Sequence, residues 1–183
     1  NTADIVAFAD SVELDRVAAP LKRQLALNLA IAERGLCEDC GANIGRVLLC
    51  DGANDLVTRA RAWAAAGSDA RMSGVELPVV IVSGSGNQGI TASVPVAVWA
   101  KEKGYSEEAL LRALIVSNLV TVHQKTGIGR LSAFCGAVCA GCGAGAGIAY
   151  LEGGGYDAVA HAVVNALAII SGMVCDGAKA SCA

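Results

Sequence analysis

The run LSAFCGAVCAGCGAGAGIAYL, residues 131–151, limits what this chain can fold into more than any other stretch. It has 21 residues without a charge, and five glycines lie between Gly136 and Gly147. Each glycine costs about 1 kcal/mol relative to alanine in a helix, so this helix is stable only if its neighbours pack closely against it. The run is long enough to span a membrane and contains a G-x-x-x-G at Gly141 and Gly145. Because glycine and alanine insert weakly and no basic flank sets an orientation, we predict instead the central helix of a soluble bundle, with no membrane partner.

Helical patterns dominate the rest of the chain. Apolar residues recur at helical spacing, and the caps and breakers of helices punctuate them. Pro20 and Gly35 mark the start and end of one predicted helix, Asn54 and Gly67 the N-cap and end of the next, and Ser106 the N-cap of a third. The sequence therefore predicts a mainly α fold, a compact multi-helix domain around the glycine-rich helix.

The stretch LPVVIVS, residues 77–83, departs from this pattern and favours a short buried strand. At 183 residues the chain has the length of one domain. It begins at Asn1 without an initiator methionine or a signal peptide and stops directly after Cys182. We therefore interpret residues 1–183 as a single domain, the C-terminal part of a longer protein.

Charge and cysteine content narrow the function classes. The net charge is −3 and no basic patch is present, which argues against nucleic acid and against anionic membranes as partners. Eight cysteines without a secretory context indicate a reducing compartment, where thiols bind metal, react or pack. We expect the protein to be cytoplasmic.

Three thiols, Cys135, Cys139 and Cys142, stand at C-x3-C-x2-C spacing. Radical S-adenosylmethionine enzymes use this spacing, but their motif lies in an α/β barrel with an aromatic residue just before the last cysteine, where this chain has Gly141. On a rigid helix the three thiols would converge poorly on one cluster. We interpret Cys139 and Cys142 as small hydrophobic residues that are buried in the core.

A different set of cysteines is better suited to a cluster. Cys175 and Cys182 flank a polar, glycine-containing turn that can wrap around an inorganic group. Cys135 begins the glycine-rich helix, where the positive end of the helix dipole favours a thiolate. Three cysteine ligands leave one iron of a four-iron cluster open to substrate, unlike the four-cysteine electron carriers.

Three motifs together resemble the iron–sulfur L-cysteine desulfidase family, which is related to the alpha-subunit domain of iron–sulfur L-serine dehydratases. They are SGSGNQGI, KTGIGRLSAFCGAVCAGCGAGAGIAYLEGG and GMVCDGAKASCA. The resemblance covers essentially the whole chain. It implies a helical lyase with a [4Fe-4S] cluster that splits L-cysteine into pyruvate, ammonia and sulfide.

The resemblance also bears on the ligands and the partners. In the dehydratases the first two cluster cysteines correspond to Cys135 and Cys175, whereas the third lies further from the second than Cys182 does here. The expected partners are a small amino-acid substrate and a second copy in a homodimer. Two alternatives stay open: an L-serine dehydratase of the same type, and a metal-binding helical module without catalysis.

The loop SGSGNQG is the predicted substrate-binding element. A glycine-rich turn that enters a helix presents backbone N–H groups to an anion, here the carboxylate of an amino acid. The polar candidates are Ser83, Ser85, Asn87 and Gln88, with Gly86 at the turn. An ordinary tight turn is the alternative, and a phosphate-binding loop is less favoured because its lysine motif is absent.

Elimination also needs a base for the Cα proton. The segment VHQKTGIGR supplies His123 and Lys125 as candidates, and the related dehydratases carry a lysine near this place. We place Thr126 beside them as a substrate-binding residue. Ordinary surface or packing roles are the alternatives for each, and we expect His161, on an apolar helix face, to be a core residue.

Overall fold

The computed structural model describes residues 1–52, 55–129, 132–170 and 172–175. Within these ranges the chain forms eight α-helices and a short 3₁₀ helix, Leu14–Arg16, and no regular strand. The mainly α prediction is confirmed. The helices are α1 (Thr2–Ser11), α2 (Ala18–Cys37), α3 (Ile44–Asp51), α4 (Leu56–Met72), α5 (Gly86–Lys103), α6 (Glu107–Ile128), α7 (Gly136–Leu151) and α8 (Gly155–Ile170).

Helix α5 lies between two hydrophobic cores and contributes to both. Val96 and Ala100 pack into a core formed mainly with α1, α6 and α7. Ile90, Val94 and Val98 pack into a second core with α2 and α4. Because opposite sides of α5 are covered, its hydrophobic residues are distributed around the helix, as expected for a buried helix. Packing on both sides of α5 therefore fixes the position of its N-terminus.

The glycine-rich run folds as α7, which packs closely along α6. At Gly143 an added Cβ would overlap Thr121 Oγ1 and the Ser117 carbonyl oxygen, and at Gly147 it would lie 2.8 Å from the Ala113 carbonyl oxygen. Glycine is therefore required where the two backbones approach. No helix in the described part of the chain is long and apolar enough to span a membrane.

This packing predicts opposite effects for two glycines of the same helix. Gly143→Ala should lower the free energy of unfolding by about 1–3 kcal/mol, because its methyl group meets backbone that cannot move aside. Gly141→Ala should raise it by about 0.5–1 kcal/mol, because no atom lies within 4 Å of its added Cβ and alanine favours a helix. Urea denaturation of both variants measures the difference. Equal destabilisation by the two substitutions would contradict the packing argument.

The predicted strand at residues 77–83 forms no ladder with a neighbouring segment of the described residues; Val82 makes only an isolated bridge with Ser85. Its central residue, Val80, is hydrogen-bonded on both sides to the side chain of Asn28: Val80 N donates to Oδ1 at 2.9 Å, and Nδ2 donates to Val80 O at 3.2 Å. A buried amide thus takes the place of a neighbouring strand. The strand prediction is wrong because a side chain of α2 satisfies the backbone groups.

Two predicted helix ends are also wrong. Gly35 and Gly67 lie inside α2 and α4, which continue to Cys37 and Met72. An added Cβ at Gly35 would overlap the Ala66 carbonyl oxygen, and one at Gly67 would lie 3.3 Å from Ala32. Both glycines therefore mark the crossing of α2 and α4 and do not terminate a helix.

The helix caps and the position of His161 agree with the sequence predictions only in part. Ser106 caps α6, as predicted, by accepting a hydrogen bond from Ala109 N. The N-cap of α4 is Asp55, while the predicted cap, Asn54, lies outside the described residues. His161 is exposed on α8 and not in the core, because α8 lies at the edge of the bundle.

Candidate active site

The segments around Cys135 and Cys175 lie side by side. Phe134 and Val174 form an isolated antiparallel bridge, in which Cys135 N donates to Met173 O at 3.1 Å and Cys175 N donates to Ala133 O at 2.7 Å. Each cysteine directly follows one residue of the bridged pair. Because side chains alternate along an extended backbone, both cysteine side chains lie on the face opposite to those of Phe134 and Val174. Diagonal neighbours of this kind are about 7–8 Å apart. Both thiols are free and partly accessible, so two of the three predicted ligands are brought together.

The third predicted ligand, Cys182, lies outside the described residues. Within the described ranges no group of three histidine, cysteine or acidic side chains is arranged to hold a metal ion. The pair Cys135–Cys175 is therefore the part of the ligand set whose arrangement is defined.

Cys139 and Cys142 are buried in α7, as predicted. Burial raises the pKa of both thiols. Cys142 belongs to the core around α6 and α7 and accepts a hydrogen bond from Gln124 Nε2 at 2.8 Å. Both residues have the surroundings of packed thiols, in contrast to Cys135 and Cys175.

The loop before α5 forms a tight turn with strained backbone. Val82 and Ser85 bridge its ends, and Ser83 adopts a left-handed conformation with φ of 54°, followed by Gly84 with φ of 104°. Ser85 is the N-cap of α5 but its side chain makes no capping hydrogen bond. The first-turn N–H groups of the helix are thus not satisfied by a side-chain cap, and they carry the positive end of the helix dipole.

The first turn of α5 contacts the first turn of α7. The Gln88 amide lies over the Cα of Gly136, so that any Cβ at position 136 would overlap it. Gln88 is only 9% exposed, and its Oε1 has no hydrogen-bond partner in the described part of the chain. A buried acceptor without a donor is costly and uncommon in proteins. It lies directly beside Cys135, which is the N-cap of α7.

Lys125, in the last turn of α6, is the second candidate group of this region. It is 7% exposed, and no ion pair or hydrogen bond to its ammonium is found in the described part of the protein. A lysine this buried is normally paired. Its charge lowers the pKa of Cys139, against the larger effect of burial.

His123 and Thr126 are not brought to the same place. Both line a groove between α6 and α1, together with Asn1, Asp4 and Phe8. His123 is exposed, and Thr126 Oγ1 donates to Val122 O within its own helix. Residues two positions apart on a helix point in different directions, which separates His123 from Lys125. The proposed roles of His123 and Thr126 therefore have no support from this arrangement.

The structure adds Arg71, which sequence reasoning missed. Arg71 Nη1 donates to Asn87 Oδ1 at 2.9 Å, and the Cδ and Nε of the side chain lie over the Cα of Gly86. Arg71 makes no salt bridge in the described ranges. A basic residue in the last turn of a helix is common, so its position in α4 carried no signal of its own.

Comparison with known proteins identifies the family. A family model described as serine dehydratase alpha chain matches residues 3–183. Among curated proteins, UPF0597 proteins match the whole chain: one from Desulfitobacterium hafniense is 63% identical over 183 residues and one from Lachnoclostridium phytofermentans is 52% identical over 183 residues. A third, from Treponema denticola, is 48% identical over 188 residues.

The chain spans less than half the length of these relatives, 43% of the first and 44% of each of the other two. No solved structure matches. The family model covers nearly every residue, including both segments of the cysteine pair and the loop before α5, and the resemblance read from the three motifs is confirmed. The chain belongs to the serine dehydratase alpha chain family.

Proposed function

We propose that this chain forms part of the catalytic site of an iron–sulfur lyase that splits L-cysteine into pyruvate, ammonia and sulfide. The observation that carries the proposal is the position of two free cysteines, of a buried lysine without a partner among the described residues, and of the N-terminus of α5 around the start of α7. Each connection is a contact or an electrostatic interaction described above: Arg71 with Asn87, Gln88 with Gly136, and Lys125 with Cys139 beside Cys135.

A [4Fe-4S] cluster fits the cysteine pair. Cysteine thiolates are the usual ligands of such clusters. Cys135 and Cys175 are free, partly accessible and on one face of a backbone bridge, whereas Cys139 and Cys142 are buried in a helix. We propose Cys135, Cys175 and Cys182 as the three ligands. When bound, a cluster with one iron not ligated by protein supplies a Lewis acid for the leaving thiolate.

The side chains around the pair have separate roles in this proposal. The loop of Ser83, Ser85 and Gly86 and the first turn of α5 bind the substrate carboxylate with backbone N–H groups. The orphaned Gln88 Oε1 accepts a hydrogen bond from the substrate ammonium. Both contacts orient the amino acid with its Cα toward the start of α7.

The side-chain amine of Lys125 then takes the proton from Cα. The electron pair of the Cα–H bond forms the Cα–Cβ double bond, and the Cβ–S bond breaks with its electron pair leaving on sulfur. The product is 2-aminoacrylate, which tautomerises and is hydrolysed by water to pyruvate and ammonia. A positioned base of this kind contributes about 10²–10⁴-fold to the rate.

L-Serine is the second candidate substrate. The description of the matching family, serine dehydratase alpha chain, favours it. The same proton removal would then expel hydroxide from Cβ. We favour cysteine because thiolate is the better ligand for iron and the better leaving group.

Product analysis distinguishes the two substrates. The full-length protein, reconstituted with iron and sulfide without oxygen, should release sulfide and pyruvate from L-cysteine in equal amounts, with a higher kcat/KM than for L-serine. Exposure to air or removal of iron by a chelator should abolish both products together. Activity on serine alone would overturn the assignment of cysteine as the substrate. An iron-loaded protein without activity on either amino acid would favour a non-catalytic module.

A further inference from the structure

We propose that Arg71 binds the carboxylate of the substrate and thereby restricts the site to amino acids with a free α-carboxylate. Arg71 is part of α4, not of the loop or of the cysteine segments. The inference rests on the proposed function for the identity of the reacting substrate, but not for the binding of an amino acid as such.

The first observation is the position of the guanidinium. It lies over Gly86, the first residue of α5, with Nη1 held by Asn87 Oδ1 at 2.9 Å. The hydrogen bond to Asn87 leaves most of the five guanidinium N–H groups for other acceptors. A side chain at position 86 would displace Arg71, so glycine at this position allows the guanidinium to reach the helix N-terminus.

The second observation is the balance of charge. Arg71 is only partly exposed and is not in a salt bridge with any described carboxylate. It adds a full positive charge to the positive end of the α5 dipole. A guanidinium also matches the planar carboxylate with two parallel hydrogen bonds, which an ammonium cannot do.

The third observation points to a zwitterionic ligand. Gln88 lies in the first turn of α5 with its amide against Gly136 of α7; it is nine-tenths buried, and its Oε1 accepts no hydrogen bond from any described residue. A simple anion would leave that acceptor unsatisfied. An α-amino acid carries both an ammonium, the kind of donor that Gln88 Oε1 lacks among the described residues, and a carboxylate, the kind of acceptor that Arg71 lacks there.

The test compares L-cysteine with its methyl ester, which keeps the Cα proton and the thiol but lacks the carboxylate charge. In the full-length reconstituted protein, Arg71→Met should lower kcat/KM for L-cysteine about 10- to 100-fold, mainly through KM, and leave the ester unchanged. Arg71→Lys should recover part of the loss. Arg23→Met, at an exposed arginine of α2, is the control and should leave kcat/KM unchanged for both substrates. If Arg71→Met lowered kcat/KM equally for L-cysteine and for the ester, or lowered it for neither, the inference would be overturned.

Binding of L-alanine separates this inference from the proposed function. L-Alanine has no leaving group, so titration calorimetry measures its binding without turnover. Wild type should bind it, and Arg71→Met should bind it about 10- to 100-fold more weakly. If wild type releases no sulfide from cysteine but shows this dependence, the proposed function fails and the carboxylate role of Arg71 stands. Equal binding by both proteins, or no binding by wild type, would refute that role.

Discussion

Cys135→Ser and Cys175→Ser should each abolish the iron–sulfur cluster, whereas Cys139→Ser and Cys142→Ser should keep it. The first two thiols are free, partly accessible and adjacent across a backbone bridge. The other two are buried in α7 with pKa values that burial raises, so they are poorer thiolate donors. Loss of one of three cysteine ligands removes a bond that no neighbouring described cysteine replaces.

The measurement is iron and acid-labile sulfide per chain after reconstitution without oxygen, together with absorption and EPR spectra. Circular dichroism checks that each variant is folded, which matters most for Cys142 because its sulfur accepts a hydrogen bond in the core. Iron loss in Cys139→Ser and Cys142→Ser, with full iron content in Cys175→Ser, would replace the proposed ligand set by the C-x3-C-x2-C set.

Lys125→Met should lower kcat by about 10²–10⁴-fold while leaving the iron content unchanged, because it removes the proposed base and keeps the shape of the side chain. The same substitution should not destabilise the fold. The Lys125 side chain is 7% exposed, and its ammonium makes no ion pair or hydrogen bond within the described residues, so an apolar group of similar length fits the surroundings at least as well. Activity and stability are thus expected to change independently.

The kinetic isotope effect identifies the role. With L-cysteine deuterated at Cα, loss of the base should make cleavage of the Cα–H bond rate-limiting and increase the isotope effect on kcat. A lysine that only positions the helix would lower kcat without this change. Lys101→Met, at an exposed lysine near the end of α5, is the matched control and should behave as wild type. An unchanged kcat in Lys125→Met would show that another residue is the base.

Local signals in the sequence were sufficient for the elements and for part of the site. Helical periodicity and the cap at Ser106 predicted a mainly α chain, because hydrogen bonding within a helix depends on near neighbours in sequence. The glycine content of residues 131–151 predicted a closely packed helix, and α7 meets α6 at Gly143 and Gly147. The motifs likewise indicated the family.

The sequence analysis gave wrong predictions where the reason for a residue lies in a distant part of the chain. Gly35 and Gly67 have the pattern of helix ends, yet each lies where α2 and α4 cross, so the reason for glycine is on the other helix. The segment around Val80 has the pattern of a strand, yet its backbone is satisfied by Asn28, 52 residues away. Neither partner can be located from the residues next to the signal.

The sequence by itself determined the helical fold class, the family and the chemical types present: thiols, a glycine-rich polar loop and a candidate lysine base. Only the tertiary structure decided which of these groups meet. It placed Lys125 and Gln88 in buried positions, with no partner among the described residues for the lysine ammonium or for Gln88 Oε1. It also placed His123 in a different groove and brought Arg71 of α4 over the start of α5. The physical reason is that burial and pairing are properties of the packed helices, since they depend on which side chains of distant segments occupy the same space.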